Sequence, residues 1–567
     1  MARQAPSLLS AFRLVIGGEA AFFNMAILFG VVLSALTLGV PVAVQLLIDS
    51  IANLGALQPV LILSCVLFVV LLTAGSLVAL QNFVLERFER RFFARTAQEI
   101  TLRTRYADTE ALEGSHREDL YNRFFEIDAI KGQVPVLLTT GLNLVLQALV
   151  GYVVVAFYHP YFLIVGVVHA ALIYLIWRST DAGAVRGVKG LSNAKYRMGA
   201  WLESLALRHR LFKSERGLGW ATARTNALTE DYLSAHREHF RYSFTQVLAY
   251  QFLMAAGSAL LLGIGGWLVV RGQLTVGQLV AAELILGTIF LNMGSFASVL
   301  EGWYSLRPAV EKLAQLYLLP PEEPHGTPTL EAASWAPSLT FEGAKLRHRH
   351  RTLTLSAHFP EGSTTLVAPE TVSVTEAFCA GATQLQLPTG GTLRFGGIDG
   401  ERLPAGTLRD EVLVVSDTLL LACSIAEFLR IGNPALPRSE MMKALAVVGL
   451  AEIVEGLPER LDTLLTPSGG PFTTSEALRL KIARAIAYDP KILILTPTCD
   501  LLRVERRRAI VKAFKDRNRT LIVLSNRLDL EGFDQYLRLG DGYGQPYETL
   551  EALLDAEHAA HPAGALL

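Results

Sequence analysis

The stretch RLKIARAI at residues 479–486, followed by DPKILIL at 489–495, decides how the C-terminal part of this chain is read. A helical pattern over about 475–487 gives way to a continuous apolar strand run at 492–495. Comparable strand runs stand at 364–367, 412–415 and 521–524, with another helical pattern near 439–450. Strand runs feeding helices predict an α/β fold. The expected form is a doubly wound sheet, whose ligand would lie at the C-terminal ends of the strands.

Outward from this region the composition changes. The chain has 567 residues, of which 51 % are hydrophobic and 18 % charged, with a formal net charge of -1. Soluble domains carry about 25 % charged residues. The composition therefore excludes a single soluble enzyme, a disordered chain and a secreted disulfide scaffold, and predicts a membrane protein with a soluble part. The division falls in LLPPEEPHGTPTLEAASWAP, residues 318–337, which is rich in Pro and acid and has no apolar period. The expected organisation is a transmembrane domain over 1–317, a linker over 318–336 and the α/β domain over 337–567. Residues 1–336 hold 26 Lys/Arg against 24 Asp/Glu, and residues 337–567 hold 25 against 28. The near-zero total conceals a slightly basic part and a slightly acidic one.

Six apolar stretches lie at roughly 21–47, 58–83, 134–157, 161–178, 243–270 and 276–300. Most exceed the ~20 residues that cross a bilayer as a helix. A buried core helix explains any one of them alone, but six at this length predict a membrane all-α domain of six transmembrane helices. The gap 84–133 carries nine Lys/Arg and the gap 179–242 carries eleven, whereas 48–57 and 158–160 carry none. The positive-inside rule places the two long gaps in the cytoplasm. With an even number of spans, both termini and the C-terminal domain face it too, as in a multi-pass protein of an inner (plasma) membrane. ERFERRFFARTAQEITLRTRYADTEALE, in the first long gap, has no Pro or Gly and is rich in helix formers. Spans two to five are expected to extend into the cytosol as helices.

The four cysteines, Cys65, Cys379, Cys423 and Cys499, stand far apart without CxxC spacing. This argues against a zinc or redox site, so no metal is expected. The run Arg347-His348-Arg349-His350-Arg351 reads as a solvated loop between strands, and no nucleic-acid partner is expected. Glu283 is the only charge in the sixth span. An intramembrane carboxylate is a transport-pathway candidate. The plainer alternative is a hydrogen bond to Asn143, Gln147 or Gln251.

Six spans, two long cytosolic loops, a linker and a domain of about 230 residues resemble an ATP-binding-cassette (ABC) exporter half-transporter. Particular motifs carry the resemblance. Pro388-Thr389-Gly390-Gly391-Thr392-Leu393 with Gly396-Gly397-Ile398-Asp399-Gly400 is similar to the family's β-hairpin after the phosphate-loop helix. Ser424-Ile425-Ala426-Glu427-Phe428 is similar to the segment after the Q-loop. The opening stretch resembles the helix after the signature and the Walker B strand. Residues 519–525, RTLIVLS, resemble the H-loop strand, and residues 274–281, LTVGQLVA, the start of the sixth span.

The resemblance implies nucleotide chemistry at positions where its residues are missing. A phosphate loop uses glycines, a Lys and a hydroxyl for the metal. The corresponding residues are Ala368, Thr371, Ser373, Val374 and Thr375, with Glu370 and Glu376 adding negative charge. The Q-loop position is Ser416. The Walker B carboxylate and the catalytic Glu fall on Thr496 and Pro497, leaving no general base or metal anchor. The D-loop position is Arg503 and the H-loop position is Asn526. Ser468-Gly469-Gly470 looks like a signature, but counting back from the following helix places it at Phe472, Thr473, Thr474, Ser475 and Glu476.

The resemblance thus implies a degenerate nucleotide-binding domain with no catalytic residues, no ATPase activity and no cofactor at its own site. ATP and Mg²⁺ would bind only at a partner's site. The expected function is that of a degenerate exporter subunit that pairs through its nucleotide domain with an ATP-competent half. A homodimer is the other arrangement, and a non-transporting receptor, scaffold or regulator is the alternative function. The cytoplasmic loop ends at 115–119 and 207–213 are expected as coupling helices. Peptide or protein, lipid and drug export all fit the sequence.

Overall fold

A computed structural model describes residues 7–560, apart from 55–56, 113–116, 323–336, 349–350, 468, 516 and 518. The chain divides into two compact units, residues 1–322 and 323–567. Most of the expected linker lies outside the described residues.

The first unit contains six helical stretches long and apolar enough to cross a membrane: Leu8–Ser50, Val60–Arg105, Leu120–Ala156, Pro160–Leu207, Glu215–Val270 and Val276–Tyr317. Each contains one of the six apolar runs. Three are single long helices: Leu57–Arg105, Pro160–Leu207 and Glu215–Val270, of 49, 48 and 56 residues. At ~1.5 Å per residue they reach about 70–85 Å, more than twice the ~30 Å hydrocarbon thickness. Their starts follow local chemistry. His159 caps the fourth span, with Pro160 in its first turn where a missing N–H costs nothing. Thr275 and Gln278 form a reciprocal capping box at the start of the sixth, at 3.0 and 2.9 Å. The fourth and fifth spans pack closely because Gly187 has no side chain. A Cβ there would lie 2.7 Å from the His239 Cα.

The third and sixth spans are irregular. A π-helical turn, Leu137–Gly141, interrupts the third just after Pro135. The sixth breaks at Asn292, between the helices Val276–Leu291 and Met293–Tyr317. Two acidic side chains of this unit are paired. Glu19 is 1 % exposed and bonds Arg95 at 2.9 Å. Glu301 receives His239 at 2.7 Å and Ser243 at 3.1 Å.

The second unit has two sheets. The strands are β1 (Leu339–His348), β2 (Arg351–Phe359), β3 (Thr364–Pro369), β4 (Thr392–Phe395), β5 (Ile398–Asp399), β6 (Val412–Val415), β7 (Ile492–Leu495), β8 (Thr520–Leu524), β9 (Gln535–Gly540) and β10 (Tyr543–Tyr547). The larger sheet has the order β10-β9-β3-β8-β7-β6. It is parallel from β9 to β6, with β10 antiparallel at one edge. The smaller antiparallel sheet has the order β2-β1-β4-β5.

The continuous apolar runs are explained by burial on both faces. Leu366, Leu493, Leu521 and Val523 enter one core, and Val367, Ile492, Ile494, Ile522 and Leu524 the other. All four expected strand runs appear within a residue or two of their positions. The glycine-rich segment near 390–400 makes the β4–β5 pair, with Gly391 at φ +74° packed on the backbone of Gly343.

Candidate functional site

In a parallel sheet of this kind the ligand crevice lies beyond the C-terminal strand ends. Here those ends are Pro369, Val415, Leu495 and Leu524. The loops that leave them carry most of the positions singled out in the sequence.

After β3 the chain turns at Glu370 and Thr371 into the helix Val372–Ala382. Thr371 caps this helix: its side chain accepts the Val374 N–H at 3.3 Å. One of the free amides of the helix's first turn is therefore satisfied from within. Val374 is 1 % exposed and packs in the core with Phe378 and Ile494. Ala368 is likewise buried. The Thr375 Oγ1 is buried without a hydrogen-bond partner among the described residues. Glu370 is exposed and accepts the Asp541 N–H at 3.4 Å. Glu376 lies 3.0 Å from the His348 Nε2. This contact gives the β1–β2 end of the Arg/His run a structural role, while residues 349 and 350 lie outside the described residues.

Beyond β7, Thr496 turns its hydroxyl back onto the Val415 carbonyl at 3.0 Å, and Thr498 bonds the Ser416 carbonyl at 2.8 Å. The fold thus brings Ser416 and Thr496 together. Pro497 opens a 3₁₀ turn, Pro497–Leu501. Asp500 in this turn was not singled out in the sequence. It receives the Ser525 hydroxyl at 2.6 Å and the Asn526 N–H at 2.9 Å. Behind it stands Arg507, 3 % exposed, which reaches Asp500 at 3.4 Å and Asp529 at 2.6 Å. Asn526 is thereby tied to the turn after β7. Arg503 is exposed, and its carbonyl accepts the Arg506 N–H.

The residues 472–476 stand at the start of another helix, Thr474–Tyr488. Phe472 is buried in the core. Thr473 and Glu476 form a capping box: the Glu476 carboxylate accepts the Thr473 N–H at 2.8 Å, and the Thr473 hydroxyl accepts the Glu476 N–H at 3.4 Å. Glu476 also pairs with Arg479 at 3.5 Å. A helix start is an anion site when its amides are free. Here a carboxylate of the chain already occupies that role. The T-x-x-E spacing at 473–476 is the signal that could have revealed the box in the sequence. Thr474 and Ser475 continue the helix, and Ser373 lies in the first turn of the helix after β3. Ser468 lies outside the described residues.

Among the described residues no group of His, Cys, Asp or Glu is arranged to hold a metal ion. Burial pushes the Cys499 thiol up to about 12, with Asp500 adding to the shift.

In the first unit, Glu283 is partly buried on the helix Val276–Leu291, and its Oε2 has no hydrogen-bond partner among the described residues. The alternative of a bond to Asn143, Gln147 or Gln251 is not what the structure contains. The Asn143 Oδ1 faces Gly30 of the first span and also has no hydrogen-bond partner among the described residues. Of the two loop ends, 207–213 forms a 3₁₀ turn at His209–Phe212 between the fourth and fifth spans. Of the other, 115–119, residues 115–116 lie outside the described residues and 117–119 open the short helix Arg117–Asn122.

No family model matches the chain. The alpha-hemolysin translocation ATP-binding protein HlyB of Escherichia coli is 24 % identical over 274 residues, 47 % of this chain and 38 % of that protein. The ABC multidrug transporter mdr2 of Aspergillus fumigatus is 27 % identical over 319 residues, 54 % of this chain and 39 % of the relative. The chain thus spans about 40 % of the length of these relatives. A solved structure, that of a bacterial Atm1-family ABC exporter with ATP bound, superposes with a TM-score of 0.79 at 19 % identity. That match covers 97 % of this chain and 99 % of the other. The fold is that of an ABC exporter half, six apolar spans followed by an α/β domain of the nucleotide-binding type.

Proposed function

We propose that this chain is a catalytically degenerate subunit of an ABC-type exporter, supplying six spans to a transport pathway and relying on an ATP-competent partner half. The observation that carries this reading is Val374. A phosphate loop needs a cation at this position to meet the β- and γ-phosphates. The side chain there is apolar and packed into the core. Thr371 and Glu476 add to the case, because the Val374 and Thr473 N–H groups are met by the chain's own oxygens, and Glu370 places an anionic side chain beside the turn after β3. The residues present do not fit Mg²⁺-ATP, and no hydrolytic step is assigned to them. The names of the relatives, a translocation protein and a multidrug transporter, and the fold shared with an ABC exporter support the transport half of the reading.

The test is purification of the full chain alone and with a co-expressed intact half from the same membrane. The expected result is ATP turnover only in the pair. Turnover by the chain alone would overturn the reading. The closed helix start at Thr473–Glu476 favours a second reading, a non-transporting receptor, scaffold or regulator, since a competent partner would normally use that segment. Pull-down from native membranes separates the two: recovery of an intact half supports the subunit, and its absence the regulator. Glu283 is proposed to line the pathway. Glu283→Gln in the active pair is expected to lower transport-stimulated turnover, and unchanged turnover would remove the residue from the pathway.

A further inference from the structure

The membrane unit contains a cavity of about 250 Å³ between the third, fourth and sixth spans. Its walls come from Ala148 and Leu149 of the third, Ala170 and Ile173 of the fourth, and Ile289 and Phe296 of the sixth, among others. No charged residue lines it. Three polar side chains do: Gln147, Tyr152 and Asn292.

Two of these have no internal partner. Neither the Gln147 nor the Asn292 side chain makes a hydrogen bond among the described residues, and they come from different spans. Both residues are half-buried at the cavity wall, and a primary amide carries two donors and an acceptor that a ligand there can meet. Tyr152 is fixed instead. Its hydroxyl bonds the Nδ1 of the buried His169, and its ring lies against Gly166, where a Cβ would meet ring atoms.

The backbone beside the cavity is irregular on both sides. Asn292 is the break in the sixth span, and the π-helical turn Leu137–Gly141 lies two turns before Gln147. Irregular backbone at membrane depth is tolerated where it lines a cavity or is buried in protein, and π-turns concentrate at functional sites.

We infer that this cavity binds an uncharged amphiphile, an acyl-chain-sized apolar body ending in a hydroxyl or amide that the Gln147 and Asn292 amides recognise. Pockets for drug-sized ligands run to about 300–1,000 Å³, and this half-open space of about 250 Å³ holds a chain segment or one ring. The absence of lining charge disfavours an ionised head, whose burial would go uncompensated. The inference concerns the membrane unit and does not rest on the fate of the nucleotide domain. The same chemistry is offered by a neutral glycerolipid of the bilayer and by a long-chain alcohol or amide arriving as cargo.

The test uses the full chain in lipid nanodiscs with a diazirine-bearing dodecanol as probe. Cross-links are expected in peptides containing residues 144–152 and 289–296. Dodecanol should compete at least tenfold better than dodecane or dodecanoate. Ala148→Phe and Ala170→Phe, which fill the cavity from different spans, should each cut labelling at least fivefold. Gln147→Leu with Asn292→Leu, which adds little bulk, should make alcohol and alkane compete alike. Labelling spread evenly over the spans, unchanged labelling in both filled variants, or equal competition by dodecanoate would overturn the inference. Mass spectrometry of the freshly extracted chain distinguishes the sources: a bound neutral glycerolipid supports the resident form and a bound free alcohol or amide the cargo form. A charged lipid cross-linked at those peptides would overturn both.

Discussion

The Oδ2 of Asp500 holds the backbone N–H of Asn526 at 2.9 Å, while the Oδ1 of the same carboxylate holds the Ser525 hydroxyl at 2.6 Å. One side chain thereby fastens the loop after β8 to the turn after β7. Asp500→Ala leaves the amide of Asn526 and the hydroxyl of Ser525 without this acceptor. It is expected to lower stability by about 1–3 kcal/mol, the usual cost of stranding hydrogen-bonding groups. Arg507 keeps Asp529, so the loss stays below that of an orphaned buried charge. Thermal unfolding of the full chain measures the loss. Hydrogen exchange at Asn526 should accelerate in the same variant.

The capping box at Thr473 and Glu476 predicts a graded response. Glu476→Ala removes the carboxylate from the helix start and is expected to cost about 1 kcal/mol. Glu476→Gln keeps the acceptor geometry but loses the charge, and should cost less. Denaturant midpoints of the two variants against the parent give the order. A neutral Glu476→Ala would show that the box contributes nothing.

Nucleotide should not stabilise this chain. A ligand at 100 times its Kd raises stability by about 2.7 kcal/mol. Full-length chain heated with millimolar Mg²⁺-ATP is expected to unfold at the same temperature as without it. A reproducible upward shift of several degrees would count against the proposed loss of the site.

Acid should loosen the start of β3. Asp534 is drawn upward by burial, but the Lys515 pair and the Thr364 backbone and hydroxyl bonds outweigh this and hold its carboxyl below the usual range. A depressed carboxyl contributes stability that is fully present above its unfolded value, about 3.9. That stability fades as the pH falls from there through the lower folded value. Asp534→Asn is expected to flatten this part of the acid-unfolding curve. An unchanged curve would assign the acid sensitivity elsewhere.

Much of the architecture was legible because it rests on burial. The runs at 412–415 and 492–495 are apolar without alternation because both faces of the sheet are covered, one by helices and the other by the helix after β3 together with the smaller sheet. Span length is likewise set by the bilayer and written directly in the chain. The Asp500 fastening was not legible. Its partners lie 7, 25 and 26 positions away, and only the parallel pairing of β7 with β8 brings them together. Glu283 was legible as a charge in a span, but its surroundings depend on how each helix is rotated about its axis. Composition leaves that angle open, and none of the three expected amide partners meets it.

The burial of Val374 bears on history as well as on chemistry. Were a lysine to reappear there by a single change, its ammonium would enter a core that also holds Phe378 and Ile494, at the cost of an unpaired buried charge. On the proposed reading, in which Thr496 and Pro497 stand at the carboxylate positions, that change alone would gain nothing. Each isolated step back is therefore penalised before any benefit arrives. If the proposed loss of the nucleotide site holds, this packing works as a ratchet: a chain that has buried an apolar side chain at position 374 does not regain a phosphate-binding lysine by one tolerated step.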